Sequence, residues 1–387
     1  MKDYPRVLRD LADQHLLREL RTSDVRGSSV EIDGHRLIAL ASNDYLGLSR
    51  HPTLIEAAVE ATRRFGVGAG AARLLSGTRL PHTELEAALA RFKQTDASLV
   101  FGSGYLTNIG VIPALIGRGG LILMDRLCHA SLWDGCRLSG ADVRMFEHND
   151  VTDLDRLLRE RRSGRAALIV TEGVFSMDGD LSPLPDLLTV AERYDAMVLV
   201  DDAHGTAVMG ASGRGTPEHF GVEKRMWFQM GTLGKALGTS GGYIAGEAAF
   251  VSVLVNTARS FIYATAPPPA TAAAACAALS VVQREPERRV RLWANRTRLM
   301  TGIQERGFRT TATETPIIPI LIGDAERALA LARRLTELGI YAPAIRPPTV
   351  PEGASRLRLT VTSDHSEQEI DTVVAALDMA GRELRIL

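Results

Sequence analysis

The chain has 387 residues, 45% hydrophobic and 24% charged, enough apolar material for a large core and a length that suggests two or three domains. A formal net charge of -1 leaves no overall basic field for nucleic acid or an anionic membrane, so any anionic ligand must be held by local groups. The start MKDYPRVLRD lacks the apolar core of a signal peptide, no run reads as a spanning segment, and Cys128, Cys136 and Cys276 show no CxxC spacing, which fits a reducing cytoplasm and argues against a disulfide framework or a zinc cluster.

Pro5 to Leu20 carries leucines at helical spacing among charges and reads as an amphipathic helix that leans on another domain or subunit. A hairpin follows, Ser29 to Ile32 and Leu37 to Ala41 about an Asp33-Gly34 turn. The loop SNDYLGLSRHP offers Ser42, Asn43 and Asp44, for which turn chemistry is the plain account. A helix capped near Thr53 runs to Phe65 and into FGVGAGAARLLSG. There Gly66, Gly68 and Ala71 match a dinucleotide fingerprint in the wrong context, after a helix instead of a strand. FGSGYLTN is better placed: Ala97 to Phe101 is a strand, Gly102 and Gly104 give the turn, and backbone amides at the helix start after Tyr105 favour a phosphate. Asp125 lies at about the spacing of a ribose-binding acid, so an NAD enzyme stands as an alternative here, although Thr107 occupies the place of the third glycine.

From Leu121 onward the apolar runs LILMD, DVRMF, ALIVT and MVLVD alternate with charged helical segments such as Val151 to Arg162 and Pro185 to Tyr194. That is an α/β pattern, a mostly parallel sheet with helices on both faces, whose ligands sit beyond the strand carboxyl ends. Polar clusters follow three of the runs: His129 to Ser131, Glu172 to Asp178 and Asp201 to His204. Singly, His129 or His204 is more often a structural hydrogen-bonder; their convergence is the signal. After Asp201 a second short run, Met226 to Met230, delivers Thr232, Gly234 and Lys235 on a glycine-rich turn. A buried acid and a lysine facing one site are the pair that pyridoxal phosphate (PLP) chemistry needs. A Walker loop is excluded, because Gln229 and Ala236 stand where it requires Gly and Ser or Thr.

The C-terminal part, with Pro316 to Ile322, a helix from Asp324 to Leu338, the loop AIRPPTVP and the strand SRLRLTVT, reads as a smaller α+β domain. On that strand Arg358 alternates with Leu357 and Leu359, so its guanidinium could grip a carboxylate in a bidentate fork, though a solvent-facing arginine is the commoner case.

Taken in order across nearly the whole chain, SNDYLGLSRHP, TEGVFSMDGD, DDAHGT, GTLGKALG and AIRPPTVP resemble the α-oxoamine synthase family of fold-type I PLP-dependent enzymes. The likeness is strongest to members that act in biotin synthesis, through FEHNDVTDLDRLL and IRPPTVPEGASRLRLT. It implies an N-terminal helix and hairpin arm over 1–48, an aminotransferase-like, PLP-binding large domain over 49–283 and a small C-terminal domain over 284–387. Lys235 would be the Schiff-base lysine and the acid/base at the substrate Cα, Asp201 would hold the pyridine nitrogen, His204 and Ser176 would lie near the phenolic oxygen, and His129 would stack on the ring. The phosphate would be held by the amides of Gly104 and Tyr105, by Thr232, and by Thr265 from the other subunit of a homodimer with shared sites. Arg358, with Asn43 nearby, would bind the amino-acid carboxylate; Arg346 and Thr349 on a mobile loop would assist closure, and Arg21 would lie near the acyl substrate.

The implied reaction is a decarboxylative condensation of L-alanine with a pimeloyl thioester, carried on coenzyme A or on a carrier protein. Sister enzymes that use glycine or serine with another acyl thioester are the alternative, and a non-catalytic subunit on the same fold would be expected to lack Lys235 or Asp201. The alanines of FGVGAGAARLLSG, and Ala264 and Pro268 in SFIYATAPPPA, depart from the usual family pattern and bear on which substrate fits more than on the cofactor.

Overall fold

Residues 3–387 are described by the structure, a computed structural model. The first helix, α1 (Tyr4–Asp13), is capped by Asp3, whose side chain accepts from the Arg6 amide. It stops well short of Leu20 because His15 takes a left-handed φ of 56°, which a side-chain-bearing residue does not sustain in a helix. Strands β1 (Ser23–Arg26), β2 (Ser29–Ile32) and β3 (His35–Ala39) form an antiparallel meander. Its second turn is the expected Asp33-Gly34 pair, both with positive φ (52° and 78°).

The segment Leu46–Ser176 with Leu181–Arg289 forms one compact unit around a seven-stranded sheet. Helices α2 (Pro52–Phe65) and α3 (Leu80–Lys93) open it. The cap of α2 is His51, whose Nδ1 accepts from the Thr53 amide, two residues earlier than the cap near Thr53 expected from sequence. There follow β4 (Ala97–Phe101), α4 (Gly104–Leu115), β5 (Leu121–Asp125), α5 (Ala130–Ser139), β6 (Asp142–Phe146), β7 (Ala167–Glu172), β8 (Met197–Asp201), β9 (Phe228–Thr232) and β10 (Gly242–Gly246). The strand order is β4-β10-β9-β8-β7-β5-β6, parallel throughout except for β10, which runs antiparallel to both neighbours. The inner strands are continuous apolar runs because both faces are covered. Ile122, Met124, Leu168, Val170 and Leu199 pack into one core, while Leu121, Leu123, Ile169, Val198 and Val200 pack into the other.

One glycine fixes where α4 begins. A Cβ on Gly242 would lie 2.7 Å from Gly104 Cα and 2.4 Å from Thr107 Oγ1, so only a bare strand residue lets the first turn of α4 lie against β10.

The second compact unit joins Met1–Tyr45 and Met177–Asp180 to Val290–Leu387. Here β11 (Ile317–Gly323), β13 (Ala344–Ile345) and β14 (Ser355–Thr360) make an antiparallel sheet of order β11-β14-β13. Strand β12 (Ile340–Tyr341) adds parallel to β3, pairing Ile340 with Ile38 and Tyr341 with Ala39. Through this pairing the strands of the N-terminal arm share a sheet with the C-terminal part. Arg289 also groups with the large unit, its guanidinium donating to the carbonyls of Val282 and Ala211. Among the described residues no helix is long and apolar enough to cross a membrane.

Candidate active site

The carboxyl ends of β5, β7, β8 and β9 and the start of α4 enclose a cavity of about 220 Å³. Its wall takes His129 from the β5 end, Glu172 and Ser176 from β7, Asp201 and His204 from β8, Thr232 and Lys235 from β9, and Gly104 and Tyr105 from α4. Parallel neighbours end level with one another, with Glu172 in register with Asp201, which is why residues far apart in sequence meet here.

Asp201 is 6% exposed and doubly held: Oδ1 accepts from the Ala203 amide at 3.0 Å, and Oδ2 accepts from Asn108 Nδ2 at 2.7 Å. The same Asn108 amide donates to Ser131 Oγ at 2.9 Å, and Ser131 Oγ lies 2.8 Å from His129 Nδ1. The Ser131 backbone amide also donates to His129 Nδ1 (3.2 Å), so this nitrogen is an acceptor and the neutral ring carries its proton on Nε2. Burial holds the His129 pKa below its ordinary value, with Asp201 raising it and Lys235 lowering it further. Ser131 belongs to the polar cluster His129 to Ser131 that the sequence offered, whereas Asn108 was not singled out; its available signal was a polar residue inside the otherwise apolar helix of FGSGYLTNIGVIPAL. Replacing Asn108 with alanine strips Asp201 and Ser131 of a buried donor, and the cofactor-free protein is expected to lose about 1–3 kcal/mol, read from its urea unfolding midpoint.

Glu172 is buried and clamps two loops, accepting from the backbone amides of His129 (2.6 Å) and Ser176. Burial, and then the charge of Asp201, push its pKa up to about 8, against the opposing pull of Lys235 and the two amides. The folded chain therefore keeps a proton that the unfolded chain releases near 4.5, and the stability of the cofactor-free protein falls as pH rises from about 4.5 to about 8. Glu172→Gln removes that dependence. The melting temperature of the unmodified protein, measured relative to the variant's, is expected to decline across this window; parallel curves for the two would refute the shift.

Of the two adjacent acids, Asp202 is structural. It is fully buried, accepts from the Thr216 hydroxyl at 2.7 Å and from Lys93 Nζ at 3.4 Å, and Lys93 is itself without exposed side-chain surface. This network, which the sequence reading missed, fixes the loop that carries Asp201 and His204 from behind.

Lys235 is half-buried, on a turn closed by the Gly238 amide donating to the Lys235 carbonyl (2.8 Å). Thr232 Oγ1 accepts from the Gly234 amide and donates to the Gly241 carbonyl. Ser103 caps α4 by accepting from the Leu106 amide, so the amides of Gly104 and Tyr105, first-turn donors without intrahelical partners, reach the cavity wall. Two buried acids, Asp201 and Glu172, one lysine, the imidazoles of His129 and His204 and a helix N-terminus in a small cavity are a donor set that fits PLP.

Asp125, by contrast, does not fit a ribose. It is fully buried and its carboxylate is consumed by the amides of Leu127 and Asn149 (both 2.9 Å) and by His148 Nδ1 (2.9 Å). With β10 inserted antiparallel, the strand order is also not that of a dinucleotide fold, and the NAD alternative is withdrawn.

The remaining candidates lie on other parts of the chain. Thr265 is exposed, pairs as an isolated bridge with Ala72 and does not line this cavity. In the smaller unit Arg358 is buried, not solvent-facing, and donates through Nη1 and Nη2 to Asn43 Oδ1 (both 3.3 Å). Arg346 donates to the carbonyls of His15 and Leu17, while exposed Thr349 accepts from Arg18 Nη2 at 3.5 Å. Arg21 is exposed and lines a cleft with Arg346.

The aminotransferase class I and II family model matches residues 35–377. The 8-amino-7-oxononanoate synthase of Geobacter sulfurreducens is 51% identical over 98% of this chain and 98% of its own length. Among solved structures, serine palmitoyltransferase from S. paucimobilis with a bound PLP–myriocin aldimine aligns with a TM-score of 0.95 at 33% identity, over 99% of this chain and 98% of that one. The 8-amino-7-oxononanoate synthase from Francisella tularensis aligns with a TM-score of 0.78 at 27% identity, over 90% of this chain and 98% of that one.

Proposed function

The chain belongs to the class I and II aminotransferase family, beside the 8-amino-7-oxononanoate synthases, and from that premise we propose that it condenses L-alanine with a pimeloyl thioester in biotin biosynthesis. A carbon–carbon bond forms between the alanine Cα and the acyl carbon, the thiol leaves, the alanine carboxylate departs as CO2, and a proton takes its place on Cα. The observation that carries the reading is the meeting of Asp201 and Lys235 in one small cavity at the carboxyl ends of parallel strands.

The cofactor is pyridoxal 5′-phosphate, which when bound supplies an electron sink for the charge left at Cα. Lys235 would remove the Cα proton as a neutral amine and, as the ammonium so formed, later return one. Asp201, fixed by Asn108 and Ala203, would keep the ring nitrogen protonated, and Glu172 holds the His129 and Ser176 loops, from which His129 would cover a ring face and Ser176, with His204, would meet the phenolic oxygen. Gly104, Tyr105 and Thr232 hold the phosphate, joined by Thr265 of a second copy; the exposure of Thr265 supports a homodimer with shared sites, as do the exposed Val7 and Leu8 of α1. Arg358 with Asn43 takes the amino-acid carboxylate, Arg346 and Thr349 assist closure, and Arg21 meets the acyl chain. Three free cysteines suit a cytoplasmic location.

The closeness of serine palmitoyltransferase in fold favours a second reading, a glycine or serine C-acyltransferase. Free thiol and CO2 release, assayed with L-alanine, glycine and L-serine against pimeloyl-CoA, separates the two. Release with alanine alone supports the first reading, and release only with glycine or serine replaces it.

A further inference from the structure

The chain leaves the large unit after Ser176 and returns to it at Leu181; the residues between, Met177–Asp180, belong to the smaller unit. This excursion is pinned on both sides of Ser176. Before it, Val174 faces Leu181 in an isolated antiparallel bridge, and Phe175 is buried with its ring edge-to-face against His148, the centroids 4.4 Å apart. After it, Arg356 of β14 donates through Nη1 to Asp178 Oδ1 at 2.6 Å and to the Met177 carbonyl at 3.2 Å. The Asp178 carbonyl accepts from the Thr311 hydroxyl at 2.6 Å, and the Gly179 carbonyl accepts from the Thr315 hydroxyl at 2.8 Å. Gly179 has a φ of 72°, and a Cβ there would lie 2.3 Å from the Ile317 carbonyl oxygen, so the turn sits hard against the start of β11. Ser176 is the single residue between the two sets of anchors; its amide donates to Glu172 and it lines the cavity.

The ion pair is not a surface contact. The Arg356 side chain is 7% exposed and that of Asp178 22%, a setting in which a charge-assisted bond is strong and the loss of one partner leaves the other charge buried alone. Arg356 also stands two positions from Arg358 on β14, both are buried, and alternation along a strand puts their side chains on one face. One strand therefore carries the arginine that holds the segment after Ser176 and the arginine proposed above to take the amino-acid carboxylate.

We infer that Asp178 and Arg356 are positioning residues for Ser176: their ion pair fixes the segment on the far side of Ser176 and so keeps that residue at the cavity wall. The inference rests on the proposed function for the roles of Ser176 and Arg358. Neither member of the pair touches substrate; both act through the backbone that joins Asp178 to Ser176.

The test uses Asp178→Asn, which keeps the shape and removes the charge, and the double variant Asp178→Asn/Arg356→Gln, which leaves no buried charge alone should the single variant fold poorly. In the cofactor-loaded protein, kcat with L-alanine and pimeloyl-CoA is expected to fall about tenfold, while the KM for L-alanine changes by less than about twofold because Arg358 and Asn43 are untouched. A general loosening of β14 would displace Arg358 as well and raise that KM. Two further readouts need no turnover and use the cofactor-free protein. Hydrogen exchange at the Ser176 amide is expected to quicken at least about tenfold in the variants, with the amides of β11 and β14 exchanging as before. The Ser176 amide is also one of the groups that draw the Glu172 pKa down, so loosening it should carry the Glu172-linked decline in stability to higher pH than in the unmodified protein. Unchanged exchange at Ser176, a kcat within about twofold of the unmodified protein, or a raised alanine KM at unchanged kcat overturns the assignment. Absence of turnover by the unmodified protein with alanine, glycine and serine defeats the reaction reading instead, and the exchange result still decides the pair.

Discussion

Turnover is expected to fall at least about 10³-fold when Lys235 is replaced by alanine, and the visible absorbance of lysine-bound PLP to vanish with it. The size of the effect follows from there being no substitute. The chain has only four lysines, Lys2, Lys93, Lys224 and Lys235, its basic residues being otherwise arginine, which stays charged and cannot serve as a proton acceptor. Lys93 has no exposed side-chain surface and is engaged by Asp202, and Lys224 is exposed on the short turn Glu223–Arg225. Among the described lysines only Lys235 lines the cavity. Borohydride reduction followed by peptide mapping gives an independent readout: the cofactor mass should appear on the peptide containing Lys235 and on none in the variant. Label on another residue, or turnover within tenfold of the unmodified protein, would sink the assignment.

The second large effect is expected at Asp201. Asparagine is nearly isosteric, yet Asp201→Asn should lower turnover by about 10²–10³-fold, the scale of losing one preorganised electrostatic group in a buried site. Both carboxylate oxygens accept from N–H donors, Oδ1 from Ala203 and Oδ2 from Asn108. Whichever way the introduced amide turns, its NH2 faces another donor, and the negative charge that keeps a ring nitrogen protonated is gone. A linked result follows from the neighbouring acid. The Asp201 charge is one of the causes that raise Glu172, so in the variant the Glu172 pKa should drop from about 8 and the pH window over which Glu172 destabilises the cofactor-free protein should narrow. Unchanged turnover with a retained cofactor spectrum would show that the ring nitrogen is not held by this carboxylate.

The same residues show how much of the site could be read from sequence. Asp201, His129 and Glu172 each follow an apolar run, and a parallel sheet necessarily brings such positions to one edge, so the cavity wall could be anticipated from spacing alone. The supports behind it could not. Asn108 lies 93 positions from the carboxylate it steadies, and Lys93 lies 109 positions from Asp202, so no local pattern joins either pair. Arg358 was ambiguous for a related reason. A strand arginine between leucines points to water or to the interior according to what covers that face, and burial against Asn43 decided for the interior.

Local chemistry in the sequence determined the elements of this protein: the apolar runs that must become covered strands, the Asp33-Gly34 hairpin, and the lysine and acid delivered to strand ends. Tertiary structure alone decided which of two neighbouring acids faces the cavity, that the N-terminal meander shares a sheet with the C-terminal part through β12, and that Arg356 of the smaller unit holds Asp178, two residues after Ser176. The physical reason is that strand formation and turns depend on neighbours a few residues away, whereas desolvation, pairing of charge and sheet edges depend on what the rest of the chain brings alongside.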